Sequence, residues 1–212
     1  MKPLISLFVC SLFFINGICA QSTNNDFDYD QEDLRFIFSK LGFHAMKFPI
    51  KQQKEEVLDV VIEEYRGGNL ISTKTAIGIT NEQFKDYGID AVGYATPKMK
   101  EGQKDSVYWH RIYAQNTDTL LTINVKTHGI TVPMEFDVSD LTVANIRAVY
   151  ETKEDIDKNS YLTVTGRRNL AFFYANNNPD QALFCPAGMP KENVIKSFYY
   201  AVFVSIEPYS NE

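Results

Sequence analysis

Between Leu120 and Val138 apolar and polar residues alternate, and the parity of the alternation switches once. Leu121, Ile123 and Val125 are apolar on one parity, and Ile130, Val132, Met134 and Phe136 on the other. A two-residue turn at His128 and Gly129 reconciles them. It pairs Thr127 with Ile130, Val125 with Val132, Ile123 with Met134 and Leu121 with Phe136. One hairpin face is then apolar throughout, while Thr122, Lys126, Thr131, Glu135 and Asp137 occupy the other. A slip of one residue would bury those charges, so the register is well specified. Pro133 falls opposite Asn124 at a non-hydrogen-bonded position. Because proline has no N–H to give a ladder, this predicts an edge strand or a bulge there.

The same periodicity recurs along most of the chain. A second hairpin is predicted around Gly67 and Gly68, with Leu58, Val60 and Ile62 meeting Thr73, Thr75 and Ile77. Val57, Val60, Val61 and Glu64 also fit a helix over 52–65, but the crowd of β-branched residues and the Gly-Gly pair favour strands. Further strands are expected over 91–96, 107–115, 146–151, 161–165, 170–175 and 198–206. The last of these has Phe198, Tyr200, Val202, Val204 and Ile206 on one parity and should be central.

One helix is predicted over 31–41. Asp30 serves as N-cap, Leu34, Ile37, Phe38 and Leu41 form an apolar stripe that needs a sheet to cover, and Gly42 ends the pattern. The stretch 176–191, rich in Asn, Pro and Gly, reads as a loop excursion. About ten strands with short connections and one helix make an all-β, mainly antiparallel domain, a two-sheet β-sandwich over 30–212 behind an acidic arm at 21–29. A closed β-barrel is the alternative.

The first twenty residues have the form of an export signal. Lys2 is the positive start, Leu4 to Ile15 the apolar run, and Asn16, Gly17 and Ala20 the break and small residue before a cleavage point preceding Gln21. The run is shorter than the roughly 20 residues a membrane-crossing helix needs, so no span is expected after cleavage. Cys10 and Cys19 lie inside the signal, behind Val9 and Ile18 rather than the small residue of a lipidation motif, which leaves Cys185 as the single thiol of the mature chain. An exported domain without an internal disulfide and without an Asn-x-Ser/Thr sequon fits a bacterial periplasm or cell surface.

Net charge sharpens the picture. The 212-residue chain carries −6, and the signal would remove one lysine and no acid. That sign argues against nucleic acid as a partner. Lys98, Lys100 and Lys104 are interleaved with Glu101 and Asp105 and read as a solvated loop.

Candidate chemistry is sparse. Cys185 with His44, His110 or His128 is the one thiol–imidazole combination, and Phe184-Cys185-Pro186 looks instead like the end of a buried strand. The histidines have no metal-ligand spacing. Asp26, Asp28 and Asp30 alternate as in a calcium loop, but Gln31 stands where glycine is needed and Ile37 where a bidentate acid is needed. No phosphate cradle, serine-nucleophile motif or cofactor motif is present. The remaining feature is the strand Tyr108-Trp109-His110-Arg111-Ile112-Tyr113. Trp109, Arg111 and Tyr113 share one parity. Strand packing favours both rings as core, with Arg111 covering apolar surface by its stem. On the opposite reading the three form an exposed strip that stacks against a sugar or a partner chain. The sequence thus predicts a non-catalytic binding module for a carbohydrate, peptide or protein partner. A barrel holding a small apolar ligand and a hydrolase with dispersed residues are the alternatives.

Overall fold

The computed structural model describes residue 34 and residues 37–38, 41–117, 119–141, 146–150, 160–177 and 185–210. The predicted export signal, the predicted acidic arm and most of the predicted N-terminal helix lie outside these residues. Leu34, Ile37 and Phe38 are helical. The stripe is not laid on a sheet: Ile37, Phe38 and Leu41 are exposed.

Ten strands among the described residues form two five-stranded sheets. In chain order they are β1 (Phe43–Gln53), β2 (Leu58–Arg66), β3 (Asn69–Thr75), β4 (Asp105–Asn116), β5 (Leu120–Lys126), β6 (Thr131–Asp137), β7 (Arg147–Tyr150), β8 (Leu162–Thr163), β9 (Arg168–Ala175) and β10 (Tyr200–Pro208). The first sheet has the order β6-β5-β4-β1-β8 and the second β3-β2-β10-β9-β7. All pairings are antiparallel except the short one between β1 and β8. The sheets face each other across one core built from both, including Phe48, Ile50, Ile112, Ile123 and Phe136 from the first and Ile62, Phe173, Val202, Val204 and Ile206 from the second. They do not close on one another, and side chains fill the space between them. This is the two-sheet sandwich, not the barrel.

The first hairpin has the predicted register, with Leu121 opposite Phe136, Ile123 opposite Met134 and Val125 opposite Val132. Pro133 faces Asn124, and β6 is an edge strand. β10 is the middle strand of its sheet. The second hairpin departs from expectation. A bulge between Glu64 and Tyr65 moves Thr73 opposite Glu63 and Lys74 opposite Ile62, because Ile71 is an extra residue on β3.

Ile77 is not in a strand at all. It belongs to helix α1 (Ala76–Phe84), whose N-cap Thr75 accepts a hydrogen bond from the Gly78 N–H at 3.2 Å. A second acceptor comes from another element: Asp59 Oδ1 on β2 receives the Ile77 N–H at 3.0 Å. The strand expected over 91–96 is likewise a short helix, α2 (Ala91–Ala95), capped by Asp90, which accepts the Val92 N–H at 3.0 Å. Ala76, Ile77, Ala91 and Ala95 of these helices enter the core between the sheets.

The two outer faces of the sandwich differ. Helix α3 (Lys191–Ser197) covers the second sheet. Its Val194, with Phe198, packs on Phe172, Tyr174, Ala201 and Phe203, which point away from the main core and form a second apolar cluster. β10 is therefore buried on both sides from Tyr200 to Ile206. The first sheet alternates on β4 from Trp109 onward, on β5 and on β6, with buried residues inward and mostly polar or aromatic ones outward. Along these three strands its outer face is open, while Pro49 on β1 is buried although its parity is outward.

Candidate functional site

Strand β4 places Trp109, Arg111 and Tyr113 on that open face. The alternate residues His110, Ile112, Ala114 and Asn116 point inward and are buried, so strand geometry sends the other parity outward. Trp109 is 49% and Tyr113 42% exposed, which overturns the reading of these rings as core. Pro49 of β1 lies opposite Trp109, and Ala45 of β1 and Asn124 of β5 flank Tyr113. Small or flat neighbours leave both rings about half-exposed.

The fold adds cations that the sequence did not associate with this strip. Lys47 on β1 is directly opposite Arg111, and Arg111 is directly opposite Lys126 on β5. Three positive side chains thus form a row across three adjacent strands. The Lys47 ammonium lies 4.9 Å from the centre of the Trp109 ring, within range of a cation–π contact. Two repeats of the pleat farther along β1, Lys51 pairs with Asp105 at 3.2 Å and sits 5.5 Å over the Tyr161 ring. Lys126 was legible as part of the polar face of its hairpin. Lys47 was not, because β1 hides its alternation: polar His44 and Gln52 point inward while Phe43 and Pro49 point outward.

A second arrangement joins histidines far apart in the chain. The Nε2 atoms of His110 and His128 each lie 3.0 Å from Gln52 Oε1. Gln52 donates its amide N–H to the Glu56 carbonyl at 3.4 Å, which turns its oxygen toward the two rings. Each imidazole therefore carries its proton on Nε2 and donates it to Gln52. Burial, then the neighbouring His128, brings the His110 pKa down to about 3, and burial also lowers that of His128. The ring centres of Tyr108 and His128 are 4.0 Å apart in an edge-on contact. His128 and Tyr108 line a cleft of about 690 Å³ together with Asp90, Tyr94 and Lys98. Among the described residues no carboxylate is hydrogen-bonded to either ring, so nothing raises their basicity toward general-base work. The cluster ties β1, β4 and the β5–β6 turn together.

The other sequence candidates stay dispersed. His44 packs edge-on against Phe173 with ring centres 5.8 Å apart, its pKa lowered by burial and by Arg147. Cys185 is exposed rather than buried at a strand end. No group of three or more His, Cys, Asp or Glu among the described residues is placed to hold a metal ion. No helix among them is long and apolar enough to cross a membrane. Comparison of the chain with protein-family models, with curated proteins and with solved structures finds no match.

Proposed function

We propose that this chain is an exported, non-catalytic binding module that takes a carbohydrate on the open face of its first sheet, with Trp109, Arg111 and Tyr113 at the centre. One observation carries the reading: the two sheets are treated differently by the fold. The outer aromatics on the inner strands of the second sheet, Phe172 and Phe203, are fully covered, and its exposed apolar residues, Leu70 and Ile71, lie on the edge strand β3. Trp109 and Tyr113 are instead half-exposed on an internal strand of the first. Leaving such rings half-exposed forgoes roughly half of the 1.5–3 kcal/mol that full burial of a large apolar side chain supplies, a cost a ligand can recover.

The carbohydrate reading fits this face better than a strand-adding peptide. β4 and β1 are internal strands with neighbours on both sides, so they have no free backbone edge for an added strand. Flat rings held rigidly on a sheet suit the C–H face of a pyranose. The test is affinity electrophoresis and a glycan array with the mature chain, compared with Trp109→Ala and Tyr113→Ala. Binding that weakens tenfold or more in each variant supports the proposal. Equal binding by the double variant, or no glycan bound at all, removes it.

A further inference from the structure

The row Lys47–Arg111–Lys126 is the least expected feature of the open face. Like charges directly opposite each other on neighbouring strands are destabilising, and here two such pairs share one residue. Neighbouring strands are about 4.8 Å apart, so the row spans roughly 10 Å at the level of the backbone. Trp109 and Tyr113 stand two residues before and two residues after its middle member.

The segregation of charge is local. Across β1, β4 and β5 the outward positions hold Lys47, Lys51, Arg111 and Lys126 against one acid, Asp105, which Lys51 engages. Two further outward acids of the sheet, Glu135 and Asp137, lie on the edge strand β6. Arg111 and Lys126 have no carboxylate within ion-pairing distance among the described residues. All this occurs on a chain whose net charge is −6. A concentrated cationic row on an acidic protein is built to meet an anion.

From this we infer that the ligand of the open face is an acidic polysaccharide, a polymer of uronic acids whose ring faces lie on Trp109 and Tyr113 while its carboxylates meet Arg111 and Lys126. The inference rests on the carbohydrate reading above and narrows it. The planar fork of Arg111 matches a carboxylate in a bidentate manner. The exposed rings on either side favour a sugar over an acidic peptide, since a peptide gains nothing from internal strands without free backbone groups. Nucleic acid is disfavoured by the negative charge of the rest of the molecule.

Polygalacturonate and its fully methyl-esterified form test this directly, because they share a backbone and differ in the carboxylate charge. Isothermal titration with the mature chain at about 0.05 M and 0.5 M salt is expected to give binding to polygalacturonate that weakens roughly tenfold at the higher salt. The methyl ester should bind at least tenfold more weakly. Arg111→Gln and Lys126→Gln should each lose tenfold or more, while Lys100→Gln, which removes a cation from a distant loop, should not change the affinity. Thermal unfolding of each variant confirms that it is folded. Equal binding of the ester, or binding only to neutral glycans, overturns the acidic-ligand inference and leaves the carbohydrate reading standing. Poly-glutamate bound as tightly as polygalacturonate also overturns it, in favour of an acidic protein partner. Absence of binding to any polysaccharide removes both.

Discussion

The Nε2 of His110 lies 3.0 Å from Gln52 Oε1, deep in the sandwich, and that contact holds a neutral imidazole where a charged one cannot stay. His110 Nδ1 is buried without a hydrogen-bond partner, so a proton added there would be neither solvated nor paired.

Stability should consequently fall with acid. The pKa of His110 is about 3 in the folded chain against 6.5 as its ordinary value, so between these limits the unfolded state binds the extra proton and the folded state does not. Stability is complete above about pH 6.5 and declines as the pH drops toward 3, by at most about 1.4 kcal/mol per pH unit from this one group. Urea unfolding at pH 7, 6, 5 and 4 measures the slope. Replacing His110 with Gln should flatten it, and an unchanged slope in that variant would sink the assignment.

Tyr200 supplies a contrasting case. Its ring is fully buried beneath the Arg66 guanidinium, 5.0 Å from ring centre to Cζ, and its hydroxyl has no hydrogen-bond partner. Burial raises the pKa of that hydroxyl, so it stays protonated and its desolvation is uncompensated. Tyr200→Phe keeps the ring and removes the liability, and should stabilise the fold by about 1 kcal/mol. Loss of stability in chemical denaturation would show that the hydroxyl is satisfied after all.

Arg66 itself straps the sheets together. From the end of β2 it reaches the Asp137 carbonyl at the end of β6 and Asp140 just beyond it, and it bonds Glu64 at 3.3 Å on its own strand. Arg66→Ala strips partners from a largely buried Glu64 and uncovers the Tyr200 ring. A cost of about 1.5–3 kcal/mol is expected. Lysine should not restore it, because one ammonium cannot reproduce the fork. Full rescue by Arg66→Lys would refute the geometric argument.

The cation row predicts the opposite sign. Arg111 stands between Lys47 and Lys126 on neighbouring strands, so Arg111→Gln should stabilise the unliganded chain by about 0.2–1 kcal/mol at low salt. The gain should shrink as salt is added. A residue whose removal strengthens the fold while abolishing binding is one retained for the ligand. Destabilisation by this substitution at low salt would place Arg111 in the scaffold instead.

The alternation of side chains was legible wherever one face of a strand is wet. β4, β5 and β6 and the register of the β5–β6 hairpin follow from parity alone, since a shifted register would put Lys126 or Glu135 in the core. Three short helices were not legible. α1 and α2 are apolar runs that would serve equally as strands, and what selects the helix is capping, in α1 from Asp59 on a different element. β1 escaped notice because its inward polar pair, His44 and Gln52, breaks the pattern. Gln52 is tolerated there because His110 and His128 bond to it.

Taken alone, the amino-acid order determined that the chain forms pleated strands with one dry side, because period-two patterning is a local property of each segment. It also determined that Trp109, Arg111 and Tyr113 share a side. Which side faces water was decided by tertiary structure. Helix α3 lies on the second sheet, and the first is left open, a choice that depends on segments far apart in the chain. The same holds for the row formed by Lys47, Arg111 and Lys126 and for the meeting of His110 with His128. Each is a juxtaposition across strands, and strand order is set by how two whole sheets bury their apolar faces together.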